Sequence, residues 1–308
     1  MTYFCLVLLV SFTLTIVHRV DGTDADIAHL NRATPSTGHG SGVSDSELAD
    51  LTESLFKHDD NNANKYLTIN LQQRTNGNNP DDMAPQPLIV AKQEALKIPT
   101  IEKLIALHDN YKLNTAESEI MTKTNVLEEE TLIRTFLDTK VMSQAMNFLA
   151  SKGLVKRNPN DYKQLLREIW FTTYPRGGHK ASSSGFEHVF LAELKLGKEL
   201  IGLHNWVYFL IQEFKQNLNY LGYMKSLNFG NRGALVKAHI RFQRIDKPST
   251  GVLIGTSPEL EMALYTVCFL TRQNQRCPIS LGGSRFNIVT YTFKFQGKNL
   301  IGSAYPEL

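Results

Sequence analysis

From Ser44 onward the hydrophobic positions follow two periods in turn. The segment SDSELADLTESLFKHD sets Leu48, Leu51 and Leu55 at helical spacing behind a Ser44-Asp45-Ser46 cap. RTNGNNPDDMAPQP, residues 74–87, has the composition of a surface loop. From Ile98 to about Gly153 the pattern is helical almost throughout, with apolar residues at i, i+3 and i+4. Asp161 to Trp170 predicts a further short helix. The second half of the chain changes period. GFEHVFLAEL predicts a strand, Trp206 to Leu221 an amphipathic helix, and KAHIRFQRI and GVLIGT two more strands. Ser257-Pro258-Glu259, with proline at the first helical position, opens a helix over PELEMALYTVCFLTR. FNIVTYTFKF places Val289, Tyr291, Phe293 and Phe295 on one face, and NLIGSAYP follows across a Gln-Gly-Lys turn. Helices followed by mixed elements and strands predict an α+β fold, a helical N-terminal part packed with an antiparallel-sheet part.

The start departs from both periods. MTYFCLVLLVSFTLTIVHRVDG carries an apolar run from Tyr3 to Val17, shorter than the roughly 20 residues a membrane span needs. Val20 and Gly22 place small residues where a signal peptidase cuts, so residues 1–22 are expected to be a secretory signal, although no Lys or Arg precedes the run. A retained anchor is the alternative. Residues 23–43, rich in Ser, Thr and Gly, are expected to be a flexible leader and residues 44–308 the folded domain, secreted and without stable membrane insertion. Secretion removes Cys5 and leaves Cys268 and Cys277, which in an oxidising compartment form a disulfide or else remain as two buried thiols. No Asn-x-Ser/Thr acceptor occurs.

Composition excludes little, with 42% hydrophobic and 20% charged residues being ordinary for a globular chain. The net charge of +3 is unevenly placed, because residues 201–308 hold 12 Lys and Arg against 5 Asp and Glu. A basic C-terminal part suits a polyanionic partner, or is simply a solvated basic surface. There is no internal repeat, no Gly-rich phosphate loop and no Cys/His spacing suited to zinc.

Four residues carry candidate chemistry, and each has a plainer reading when taken alone. His188, flanked by Glu187 and Glu193, would share a strand face with Phe186 and Phe190, as a core histidine does. His204 stands beside Asn205 at a helix entrance. Lys247, in DKPSTG, reads as a turn lysine, and Tyr305 as a strand-end aromatic. Together, two imidazoles and an ammonium are what RNA cleavage through the 2′-hydroxyl requires. One histidine takes the 2′-OH proton, the other protonates the departing 5′-oxygen, and the lysine stabilises charge on the phosphorane. The nucleophile belongs to the substrate, so a metal is not required in principle.

Four blocks in order, SSGFEHVFLAE, GLHNWVYFLIQE, KPSTGVLIGTSPELEMALYTV and the terminal IGSAYP, resemble the EndoU family. These are XendoU-like, poly(U)-specific endoribonucleases related to the coronavirus uridylate-specific endonuclease. SELADLTESLFKHDDN, NLQQRT, IPTIEKLIALHDNY and WFTTYPRGG fit as well, so the resemblance spans roughly residues 44–308. It implies that His188, His204 and Lys247 are catalytic, with His204 as base and His188 as acid. Glu187 and Glu193 match acidic positions and would orient His188 and favour its protonated form, or serve a structural role. Ser303 and Tyr305 match a uridine-recognition pair. Many relatives have Thr where Ser303 stands, and losing that methyl loosens the hydroxyl's rotamer. Ser249 and Thr250 share the place of a site hydroxyl in an ambiguous register. Arg176 would hold a flanking phosphate or cap a loop. The resemblance also implies Mn²⁺, for which no ligand set is legible, and single-stranded, uridine-containing RNA as partner of a monomer. A member that grips RNA or anionic lipid without cutting is the alternative. The intact His188, His204 and Lys247 argue against it.

Overall fold

A computed structural model describes residues 42–308, so the expected signal and nearly all of the expected leader lie outside the described residues. Helix α1 (Asp45–Lys57) begins at a reciprocal capping box: Ser44 Oγ accepts the Glu47 N–H while the Glu47 carboxylate accepts the Ser44 N–H. Its Leu48, Leu51 and Leu55 are buried, as the spacing requires. Strands β1 (Leu67–Ile69) and β2 (Ile89–Ala91) form a small antiparallel pair, and the polar stretch 74–87 between them is a loop. Helices α2 (Gln93–Leu96), α3 (Pro99–Ala106), α4 (Lys123–Leu137), α5 (Lys140–Ser151) and α6 (Pro159–Phe171) complete the helical layer.

That layer is less continuous than its apolar spacing predicts. Residues 107–122 leave the helix, with Thr115 N–H bonded to Leu194 O and Glu119 N–H to Ala181 O. The segment is rich in Asp, Asn, Ser and Thr, whose side chains offer the backbone alternatives to helix. Asn114 Oδ1, for example, accepts Ala116 N–H at 3.0 Å.

Strands β3 (Tyr174–Pro175) and β4 (Ala181–Ser183) pair antiparallel. GFEHVF is not strand but a short helix, α7 (Gly185–Phe190), followed by the hairpin β5 (Ala192–Lys195) and β6 (Glu199–Gly202). Ser184 Oγ accepts Glu187 N–H at 3.1 Å, capping α7. The alternation of Phe186, His188 and Phe190 fits a strand, but all six residues are buried, so neither period distinguishes an inner from an outer face.

Helix α8 (Trp206–Phe214) is shorter than its apolar pattern. Gln216 takes a left-handed φ of 59°, and Leu218 already belongs to β7 (Leu218–Asn228). Pairing with β8 (Ala234–Phe242), itself paired with β9 (Ile245–Ile254), overrides helical spacing there and makes a three-stranded antiparallel sheet. Helix α9 (Pro258–Thr271), capped by Ser257 with Pro258 at its first position, is buried along nearly its whole length. It precedes a second antiparallel sheet of β10 (Arg276–Leu281), β11 (Ser284–Phe295) and β12 (Lys298–Glu307). A disulfide joins Cys268 of α9 to Cys277 of β10. Trp170 of α6 donates its indole N–H to Thr266 of α9 at 3.0 Å, tying the helical layer to the sheet half. The fold is α+β, as the pattern predicts. Among the described residues no helix is long and apolar enough to cross a membrane.

Candidate active site

Two histidines meet because α7 and the end of the β5–β6 hairpin are bonded backbone to backbone. Leu203 N–H reaches His188 O at 3.1 Å and His204 N–H reaches Val189 O at 3.0 Å. The approach requires Gly202, whose φ is 70°; a Cβ there would lie 2.0 Å from the His188 carbonyl oxygen. The imidazole centroids are 6.2 Å apart.

The surroundings of the two rings differ. His188 Nδ1 lies 2.7 Å from Glu193 Oε2 on β5, so its N–H donates to the carboxylate and Nε2 is the nitrogen on the other side of the ring. Arg176 holds the same Oε2 at 3.1 Å through Nε, which also reaches Ser183 Oγ at 2.8 Å. Its Nη2 donates to Tyr174 Oη at 2.6 Å and to Gly302 O on β12 at 2.7 Å, while Tyr174 Oη donates to Ile301 O at 2.9 Å. All of these side chains are buried. Burial pushes the Glu193 carboxyl up and Arg176 pulls it back. Glu187, one residue before His188, has both carboxyl oxygens buried and without a hydrogen-bond partner. Burial first, then the charges of Glu193 and Glu119, hold its carboxyl well above the usual range. Of the two acids, Glu193 is the one hydrogen-bonded to His188.

His204 Nδ1 faces uncharged oxygens. Its Nδ1 is 3.2 Å from Gly251 O and 3.3 Å from Thr250 Oγ1, whose own proton goes to Leu203 O at 2.7 Å. A carbonyl only accepts, so Nδ1 carries the hydrogen there. The Tyr305 ring stacks on His204 at 5.2 Å with 26° between planes. Gly251 permits this, since a Cβ there would stand 2.4 Å from Pro306 O, so β9 and β12 come close enough to bring Tyr305 over the imidazole.

Lys247 is not in a turn. The hairpin reverses at Gln243 and Arg244, with φ of 47° and 71°, and Lys247 is a buried residue of β9. Across the pair, Ala238 faces Thr250 and Ile240 faces Lys247, so β9 has one extra residue between them. That bulge puts Lys247 on the sheet face that carries Thr250, the residue in contact with His204. The Ser249/Thr250 register resolves in the same way. Thr250 contacts His204, whereas Ser249 lines a shallow pocket with Lys237, Gly251, Tyr305 and Pro306. Ser303 is buried opposite Tyr291, and Tyr305 lies opposite Val289.

Against this geometry, the family model described as Endoribonuclease XendoU matches residues 47–306. The chain belongs to the XendoU endoribonuclease family. It is 37% identical over 266 residues to the uridylate-specific endoribonuclease EndoU of Drosophila melanogaster, covering 85% of this chain and 82% of that one. Identity with poly(U)-specific endoribonuclease-B of Xenopus laevis is 36% over 277 residues, covering 85% and 94%. The solved structure of XendoU, described as a splicing-independent snoRNA-processing endoribonuclease, superposes with a TM-score of 0.71 at 33% identity, over 86% of this chain and 98% of that one.

Within this XendoU fold, the residues expected at the site divide into two groups. His188, His204, Thr250, Tyr305 and Glu193 are linked by direct contacts, and register sets Lys247 on the same sheet face as Thr250. Arg176 is buried with its N–H groups on Glu193, Ser183, Tyr174 and Gly302, so the phosphate-holding reading gives way to a positioning one. Sequence reasoning missed Gly202, Gly251, Tyr174 and Ser183. The small residues stand in GLH and TGV, but only the approaching backbone reveals why they must be small. For manganese, no group of three or more His, Cys, Asp or Glu among the described residues could hold a metal ion. Glu193 is already engaged by Arg176 and His188. The described residues do not fit a resident metal.

Proposed function

We propose that this chain is a secreted endoribonuclease that cuts single-stranded RNA at uridylates by 2′-hydroxyl attack, leaving a 2′,3′-cyclic phosphate and a 5′-hydroxyl. The observation that carries the reading is the contrast between two imidazoles 6.2 Å apart, one on a carboxylate and one on neutral oxygens. His204 Nε2 takes the 2′-OH proton. The 2′-oxygen bonds to phosphorus, the P–O5′ bond breaks, and Nε2–H of His188 gives its proton to the departing oxygen. Glu193 accepts from Nδ1 of His188 throughout, so the ring that must start protonated is the one with an anionic partner. The Lys247 ammonium balances charge on the phosphorane. Two protons have moved and no water is consumed, so His188 and His204 return to their starting states by exchange with solvent.

Ser303 and the edge of Tyr305 read the uracil. One face of Tyr305 is occupied by His204, which couples base recognition to placement of the general base. Secretion rests on the apolar start. The uridylate preference rests on the names of the relatives together with Ser303 and Tyr305.

The test uses purified residues 23–308 and an oligoadenylate carrying one uridine, with and without Mn²⁺, beside a copy carrying 2′-deoxyuridine. Cleavage of the first alone at the uridine, with a cyclic phosphate end, is the expected result. Binding of both without cutting would overturn the reaction and favour a non-catalytic binder. Signal removal is checked by N-terminal sequencing of the secreted protein.

A further inference from the structure

The polar stretch RTNGNNPDDMAPQP, residues 74–87, has no part in the chemistry above, yet it is fastened to the sheet that carries Lys247. Strand β7 is an edge strand of that sheet, and the loop covers it. Thr75 N–H reaches Tyr223 O at 2.9 Å, Tyr223 N–H reaches Gln73 O at 3.3 Å and Met83 N–H reaches Leu221 O at 3.1 Å. Arg74 donates to Met224 O at 3.0 Å, and Arg241 of β8 donates to Pro80 O at 3.3 Å. Gly222 permits the close approach, since a Cβ there would stand 2.9 Å from Gln73 O and 3.2 Å from Met83 Cβ. The tip is shaped from within: Asn76 Oδ1 accepts Asn78 N–H at 3.0 Å and Asn79 N–H at 2.9 Å.

The sheet is irregular at the level the tip reaches. Against β8, strand β7 carries one extra residue at Leu221 and another at Met224, and β9 carries one within Pro248–Ser249. Gly77 stands where the Met224 and Pro248 bulges meet. Its φ is 76°, and a Cβ on it would lie 2.7 Å from Pro248 O and 3.4 Å from Met224 Sδ. Pro248 follows Lys247 directly and has no N–H, so β9 lacks a ladder donor at this point. The residue before Lys247 is held as well: Asp246 Oδ1 lies 3.0 Å from His239 Nε2 and accepts from Arg241 Nη2 at 3.4 Å. The loop tip is thus braced against the peptide whose bulge puts Lys247 and Thr250 on one face.

We infer that the loop is a brace that positions Lys247 for cleavage, and that Gly77 is the positioning residue through which it acts. The inference rests on the proposed reaction for the role of the ammonium, and on the approach of Gly77 to Pro248 for the brace itself. Gly77 is required twice over, by its left-handed φ and by the carbonyl that fills the place of a Cβ. A displaced Pro248 carbonyl would carry the Lys247–Thr250 bulge with it, and a charge-stabilising group misplaced by about 1 Å forfeits much of its effect.

The experiment compares Gly77→Asn with Gly283→Ala. Asparagine tolerates a left-handed φ better than most residues but still brings a Cβ against Pro248 O. Gly283, at a φ of 77° with nothing within 4 Å of an added Cβ, reports backbone strain alone. On the single-uridine oligoadenylate, Gly77→Asn should lower kcat on the order of tenfold with KM within about twofold of wild type, and Gly283→Ala should change neither. Added to Lys247→Ala, Gly77→Asn should slow single-turnover cleavage no further. Apart from cleavage, the amide signals of Lys247, Ser249 and Thr250 in isotope-labelled protein should move in Gly77→Asn and stay in Gly283→Ala. Unmoved signals, or an equal further loss of rate in the Lys247→Ala background, overturn the brace. Moved signals together with wild-type cleavage by Lys247→Ala would overturn the role proposed for the ammonium and leave the brace on β9 standing.

Discussion

The two halves of the active site are built on opposite principles. The His188 half is ionic: a carboxylate on the ring, an arginine on the carboxylate, and that arginine spanning to the recognition strand at Gly302. At His204 the Nδ1 partners are uncharged, a carbonyl and a hydroxyl, and an aromatic ring stacks on the imidazole. Identical side chains thus meet opposite kinds of partner at Nδ1, a carboxylate for one and a carbonyl for the other. The asymmetry costs stability on one side only, because buried charges must be desolvated while a carbonyl and a hydroxyl already satisfy each other.

The sharpest way to break this comparison is to remove one ring at a time. His204→Ala and His188→Ala should each slow cleavage on the order of a thousandfold, with RNA affinity nearly unchanged. The two should differ in pH dependence, His188→Ala losing the alkaline limb and His204→Ala the acid limb of the rate profile. A variant of either that cuts at the wild-type rate would remove that histidine from the mechanism.

The next largest effect belongs to the ionic side. Arg176→Met leaves Glu193 buried beside His188 without its cation, which should cost about 3–5 kcal/mol of stability in denaturant melts. Thr250→Val, the comparable cut on the neutral side, should cost about 1 kcal/mol. Similar losses in both would mean that the halves are not built differently. Gly202→Ala tests the joint between them. Its Cβ must displace the His188 carbonyl oxygen, so cleavage should fall at least as far as stability does, read as kcat against the midpoint of unfolding.

The smallest effect is expected at Glu187. Its carboxyl is held well above the usual range by burial, so the folded chain keeps a proton that the unfolded chain releases above its ordinary value of 4.5. Stability from this group is therefore full at acid pH and declines as pH rises. Glu187→Gln, neutral at every pH, should reduce that decline and leave cleavage within about threefold, whereas Glu193→Gln should slow it by about a hundredfold. A melting-temperature series across pH, run on both variants, separates the two acids. Equal loss of cleavage would restore the expectation that both carboxylates act on His188.

Much of this was legible along the chain because it is local. The Ser44 capping box, Pro258 at the start of α9 and the β11–β12 hairpin each depend on residues a few positions apart, and each formed as predicted. The candidate residues themselves were readable as chemical types, since an imidazole is an imidazole in any fold. Other features were not local. GFEHVF carries a strand's alternation and a helix's cap, and only burial on every side decided for helix. Lys247 looked like a turn residue until a bulge in β9 and pairing with β8 drew it into the sheet. Arg176 looked like a ligand for phosphate until Glu193 and Gly302, distant in sequence, occupied its hydrogen-bond donors.

The sequence alone therefore determined the fold class, the starts of α1 and α9 and which residues were candidates for the site, because those follow from spacing and side-chain chemistry. Tertiary structure alone decided which acid serves His188, which hydroxyl serves His204 and how Tyr305 reaches the ring. Those choices rest on backbone approaches at Gly202 and Gly251, where a Cβ's absence is visible only once another chain segment fills its place.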